Sequence, residues 1–144
     1  MLIGEYKHTL DSKKRLSLPA SLRKELGKRV VITRGFENCL FVYPSPSWRK
    51  VVDKLEALPW GSAQTRGVAR FILAGAIEEE VDSVGRVLIP DYLKEFAHIT
   101  SKVALLGVSN RLEVWDTTLW EEYRKKVEVE ASRMAQTLGE IGRF

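Results

Sequence analysis

The chain of 144 residues is poor in the groups from which covalent and metal frameworks are built: it has one cysteine, Cys39, and two histidines, His8 and His98. A lone cysteine excludes an internal disulfide framework and any multi-cysteine metal site. His8 has the Asp11 carboxylate near it in sequence and His98 is isolated, and neither stands in a metal-ligand spacing. A Gly-x-Gly-x-x-Gly run and a phosphate loop are both missing, and Cys39 lies among apolar strand residues as a small buried hydrophobe. These gaps predict a protein that is not an enzyme, with no cofactor, no metal and no small-molecule substrate. No apolar run approaches the roughly 20 residues that cross a bilayer. The start MLIGEYKH carries charges where a secretory leader needs its apolar core. The expectation is a soluble, cytoplasmic protein with no membrane partner.

What the chain does contain is an ordinary globular mix. Its 44% hydrophobic and 29% charged residues argue against a disordered tail or a fibre. One domain of this length buries a sound core, whereas two of about 70 residues are each marginal alone. The net charge of +4 is unevenly spread. Residues 1–50 hold 11 Lys and Arg against 4 Asp and Glu, a net +7; residues 51–100 are net −3, and the remainder is neutral. A patch of this kind attracts polyanions even when the total is modest.

The strongest signal is an internal repeat. Asp11-Ser-Lys-Lys-Arg15-Leu-Ser-Leu-Pro19 matches Asp82-Ser-Val-Gly-Arg86-Val-Leu-Ile-Pro90 at an offset of 71, with Asp, Ser, Arg and Pro identical. Downstream, Arg29–Ile32 falls on Lys102–Leu105, Leu40–Tyr43 on Leu112–Trp115, and Trp48 on Trp120. In each unit the pattern predicts a short strand, a turn, a second strand, a short helix, two more strands and a longer helix. The first strand is expected at about Lys7 to Thr9. Between the units, a helix is expected over about Ala63 to Ala76, with Val68, Phe71 and Ile72 inward. Thr117 or Thr118 is expected to cap the last helix, which turns Trp120, Tyr123 and Val127 inward and ends near Gly139. The four tryptophans suit a packed seam, and Glu78-Glu79-Glu80 reads as a solvated acidic edge.

The turn motif is the candidate site. Two strands joined by a tight polar turn make a ribbon that fits a DNA major groove. Arg15 carries a planar fork that pairs with guanine or phosphate, and Lys13 and Lys14 sit at the tip as phosphate-facing charges. Asp11 and Asp82 suit an Asx-turn that accepts turn N–H groups and fixes the neighbouring guanidinium. For Arg15 a structural clamp and a nucleic-acid contact both fit. Gly85 permits a positive φ at no cost, while Lys14 at the matching place costs roughly 1 kcal/mol in the same conformation. The first turn is therefore the better DNA contact; the second is chiefly scaffold and contributes through Arg86.

With these residues in view, the chain resembles the bacterial MraZ family of transcriptional regulators, which carry two AbrB-like domains in one polypeptide. The likeness covers essentially the whole chain and rests on Asp11 to Pro19 and its echo at Asp82 to Pro90. It implies a mainly β fold with short helices (α+β), an AbrB-like swapped-hairpin β-barrel formed by the two internal repeats. The boundaries are one AbrB-like domain at 5–47, a linking helical region at 48–75, a second domain at 76–119 and a C-terminal helix at 120–144. The resemblance also implies a homo-oligomeric ring of several protomers, nucleoid-associated. Such a ring binds short direct repeats in double-stranded promoter DNA of the division and cell-wall gene cluster, and usually represses that cluster, the regulator's own gene included. The family's DNA-contacting arginines fall on Arg15 and Arg86, and its neighbouring basic position on Lys13. One departure is Lys14, where the family often has Gly. The competing expectation is a structural or antitoxin-like interaction module that does not bind DNA.

Overall fold

Continuous apolar runs such as Val30-Val-Ile and Leu40-Phe-Val-Tyr mark strands that are covered on both faces. The computed structural model describes residues 1–143. The first unit comprises β1 (Leu2–Thr9), β2 (Arg15–Ser17), a 3₁₀ turn at Ala20–Leu22, α1 (Arg23–Leu26), β3 (Arg29–Arg34), β4 (Leu40–Pro44) and α2 (Ser45–Glu56). Helix α3 (Ala63–Leu73) leads to the second, comprising β5 (Ile77–Glu80), β6 (Arg86–Leu88), α4 (Asp91–Phe96), β7 (Lys102–Ser109), β8 (Leu112–Asp116) and α5 (Thr117–Glu140).

The two units exchange strands. Six strands form one antiparallel sheet in the order β1-β7-β8-β4-β3-β5, so the first strand of each unit pairs with the third main strand of the other. Strands β4 and β8 meet at the centre, and β2 pairs with β6 in a separate ribbon. The register shows why the exchange is two-fold. Leu16 lies opposite Val87, and Phe41 opposite Glu113, and each of these pairs joins positions equivalent in the repeat. A pseudo-twofold axis therefore passes through the ribbon and the sheet alike.

Strand alternation divides the buried residues into two cores. Val30, Ile32, Leu40, Val42, Val103, Leu105, Leu112 and Val114 point to one face of the sheet, where they meet Leu16, Leu18, Val87 and Ile89 of the ribbon and Leu22, Leu26 and Leu93 of the short helices. Their alternates Phe41, Tyr43, Ala104, Leu106 and Trp115 point to the other face and are covered by Trp48 and Val51 of α2 and by Leu119, Trp120 and Tyr123 of α5. Trp115 stacks on Tyr123 with ring centroids 5.0 Å apart and meets Trp120 edge-on at 5.4 Å.

This architecture corrects the expected mainly β barrel. The helices hold more residues than the strands, and the six-stranded sheet is open, ending at β1 and β5. The cause lies in the ribbon. β2 and β6 are three residues each and run within two residues into Pro19 and Pro90, which carry no N–H. The flanking N–H groups are already used: Leu18 donates to Gly85 O at 2.9 Å and Ile89 to Lys14 O at 2.9 Å. Those bonds extend the ribbon's own ladder, while the outward N–H groups of Arg15 and Arg86 are taken by the Asp11 and Asp82 carboxylates, and neither ribbon strand is laddered to a sheet edge. The second face is closed by α2 and α5 instead, and the 24 residues of α5 carry much of the helical excess.

Smaller expectations also change. β1 is longer than expected and begins at Leu2. Asp116, not a threonine, caps α5, its carboxylate accepting from the Leu119 N–H at 3.1 Å. Val68 and Trp60 are exposed, so α3 buries Ile72 and half of Phe71 only, and three tryptophans rather than four pack. Among the described residues no helix is long and apolar enough to cross a membrane.

Candidate nucleic-acid interface

The site is assembled from two turns at opposite ends of the ribbon. In the first, Asp11 Oδ1 accepts from the backbone N–H groups of Lys13 and Arg15, each at 2.9 Å, while Asp11 Oδ2 accepts from Arg15 Nε at 2.7 Å. In the second, Asp82 Oδ1 accepts from Val84 N at 3.0 Å and Arg86 N at 2.8 Å, and Oδ2 accepts from Arg86 Nε at 2.8 Å. The backbone bonds repeat as well: Lys14 N donates to Asp11 O and Gly85 N to Asp82 O, both at 3.0 Å. One carboxylate thus satisfies two turn donors that a tight bend leaves unpaired, and orients a guanidinium. These bonds, the backbone N–H of Arg15 or Arg86 foremost, hold both aspartates below the usual carboxylate range.

The clamp uses Nε alone. Among the described residues, the terminal nitrogens of Arg15 and Arg86 have no protein partner, and both side chains are about 30% exposed (30% and 28%). Because Leu16 and Val87 point into the core, period-two alternation turns Arg15, Ser17, Arg86 and Leu88 outward. The two arginines sit on the same face, diagonally across the ribbon at roughly 7–8 Å by ordinary strand spacing. The clamp and the exposed fork belong to one residue, so the two roles read from the sequence for Arg15 are compatible.

The tips differ. Lys13 is exposed and makes no ion pair among the described residues. Lys14 takes φ +63° and reaches across the units to Asp91 at the start of α4, Nζ to Oδ1 2.6 Å. That bond holds the Asp91 carboxyl below its ordinary value. Gly85 takes φ +85°, and the guanidinium of Arg23, from α1 of the first unit, fills the place where a side chain on Gly85 would stand. Arg23 and Asp91 were not singled out from the sequence. The only trace of Arg23 there is that its repeat-mate, Lys94, is also basic, whereas Asp91 matches Ala20.

Elsewhere the charge is compensated. Arg29 holds Glu80 at 3.1 Å and Glu78 at 3.4 Å, so the acidic run is an ion-paired sheet edge. Glu79 points the other way, and burial pushes its carboxyl up. Cys39 is fully buried, and burial pushes its thiol far from the reactive range. No group of three or more His, Cys, Asp or Glu among the described residues is placed to hold a metal ion.

Fold and site together define a tandem-repeat protein whose halves exchange strands to display a two-fold pair of arginine-bearing turns. A family model described as "MraZ protein, putative antitoxin-like" matches residues 1–71 and again residues 72–144. The chain is 47% identical over 138 residues to the transcriptional regulator MraZ of Caldanaerobacter subterraneus subsp. tengcongensis, covering 96% of each chain. It is 45% identical to the MraZ regulators of Thermoanaerobacter pseudethanolicus, over 98% of this chain and 99% of the relative, and of Caldicellulosiruptor bescii, over 99% of each. The chain belongs to the MraZ family.

Proposed function

We propose that this chain is a sequence-specific DNA-binding transcriptional regulator, not an enzyme, and that the outward face of the β2–β6 ribbon is its DNA surface. Arg15 and Arg86 contact bases or phosphates, Lys13 and Lys14 contact phosphates, and Asp11, Asp82 and Gly85 set the turns. The observation that carries this reading is the pair of guanidinium forks, each locked by Nε and open at its terminal nitrogens, on one face of a two-stranded ribbon. A ribbon of this width enters a major groove, and a guanidinium fork pairs bidentately with guanine O6 and N7.

One protomer offers few contacts, each weakened by salt through counterion competition. A homo-oligomeric ring on short direct repeats makes the later contacts intramolecular and gives avidity from weak modules. The assembly reading is supported by α5. Trp120 and Tyr123 face the core, and the same stripe continues outward through Val127, Ala131, Met134, Leu138 and Ile141 at heptad spacing. Its outer members Met134, Leu138 and Ile141 are exposed, as an interface between copies requires. The target is the promoter of the division and cell-wall gene cluster, the regulator's own gene included, where the protein acts as a repressor in the nucleoid. The test is a titration of labelled promoter DNA carrying spaced repeats against a scrambled control. Tighter binding of the repeats, falling by orders of magnitude between about 50 and 200 mM salt, is the expected result. Equal binding of both DNAs overturns the reading in favour of a protein-interaction module.

A further inference from the structure

We propose that Arg23 is a DNA-binding residue of the second turn, lent to it by the first unit. The inference rests on the ribbon's reading as a DNA surface and adds a phosphate-binding group to it. The repeat places Lys14 and Gly85 at equivalent positions. At the first turn a cationic side chain leaves the backbone there. At the second there is no side chain, and a Cβ built on Gly85 would fall on Nε, Cζ and Nη1 of Arg23. The space that the Lys14 stem enters at one turn is thus filled by a guanidinium at the other. At the position of Lys14 and Gly85, each turn therefore has a cation beside its clamped arginine, by a different route.

Arg23 is held there by more than proximity. Gly85 O accepts from the Leu18 N–H, and Leu18 O in turn accepts from Arg23 Nε at 3.0 Å. As with Arg15 and Arg86, the Nε is spent on a protein acceptor, and the terminal nitrogens have no partner among the described residues. Three arginines therefore share one arrangement: a fork fixed at its inner edge and open at its outer edge. The Arg23 fork lies against Gly85, whose next residue in the chain is Arg86. The first turn has its own lysines at the tip; the second, Ser83-Val84-Gly85, has none, and Arg23 supplies the missing charge. The partner is the DNA phosphate backbone, because a fork beside the turn, rather than on the outward face between the strands, adjoins the rim of an occupied groove.

The test uses the full-length protein and the labelled promoter and scrambled duplexes, titrated from about 50 to 200 mM salt, with light scattering for assembly. Arg23→Gln is the informative variant, since its amide still donates to Leu18 O while the charge is gone. The expected result is several-fold weaker binding to both duplexes alike, with the magnitude of the log–log salt slope falling by about 0.9 for each phosphate that is no longer neutralised. Arg23→Lys, which keeps the charge, should restore most of that slope. An unchanged slope in Arg23→Gln overturns the proposal and leaves Arg23 a strut for Leu18. Failure of the ribbon reading looks different: wild-type protein would then bind both duplexes equally, or Arg15→Ala would bind like wild type.

Discussion

The Asp11 and Asp82 turns make the same hydrogen bonds to within about 0.1 Å, yet their tips share only a serine. The comparison separates what builds the turn from what the turn presents. Asp and Arg, identical in both copies, supply the acceptor pair and the Nε donor that close it. The tip is then free to differ. The first copy accepts a strained lysine at φ +63° and gains a cation; the second keeps an unstrained glycine and takes its cation from α1. Two routes thus place a cation at each end of a ribbon whose centre, Leu16 opposite Val87, lies on the pseudo-twofold axis.

The largest effect should come from removing the shared arginine where the flanking charge is greatest. Arg15→Ala should abolish preference for the repeated promoter DNA, since a base-reading arginine contributes about 1–3 kcal/mol per protomer and a multivalent assembly multiplies the deficit. Light scattering should show assembly unchanged; loss of the oligomer would return Arg15 to a purely structural role. Next, Gly85→Ala should destabilise the fold by at least about 1–2 kcal/mol, because it meets both the left-handed backbone cost and the Arg23 guanidinium. Thermal melting checks this, and a Tm equal to wild type would show that Arg23 moves aside freely.

A third effect concerns acid. Asp11 and Asp82 are held below the ordinary value of 3.8 in the folded protein. Their stabilisation is therefore complete above the unfolded value and is lost as pH falls through the lower folded values. Turn amides should stay protected at pH 5 and open below about pH 4, as hydrogen exchange would reveal; opening between pH 7 and 5 would contradict the clamp. The smallest effect should be Lys14→Gly. It relieves roughly 1 kcal/mol of backbone strain and removes only an exposed ion pair to Asp91, so the Tm should rise slightly while DNA affinity falls modestly. An unchanged gel-shift titration would remove Lys14 from the DNA surface.

Much of the arrangement was legible in the sequence because it is local. Asp11 and Arg15 are four residues apart, as are Asp82 and Arg86, so turn chemistry alone brings them together. The repeat itself required only self-comparison. What resisted reading was partner choice. Nothing in Leu2–Thr9 says that its ladder partner is β7 in the other unit, and three-residue strands do not announce that they stop short of closing a barrel. The apolar faces of α2 and α5 showed that those helices cover something, without showing that it was the second face of an open sheet. Arg23 and Asp91 escaped notice for the same reason: each acts on the other unit's turn, a relation set by the strand exchange and by no spacing in the chain.

What stands to be tested is DNA contact through the twofold ribbon face, with Arg15 and Arg86 at its two turns. Its most direct test is a hydroxyl-radical footprint on the DNA upstream of the protein's own gene, run with wild type, Arg15→Ala and Arg86→Ala at equal oligomer concentration. Contact through that face predicts regularly spaced protections over the short repeats, erased by Arg15→Ala and weakened by Arg86→Ala. Protections that persist unchanged in both variants, with assembly intact, would contradict it.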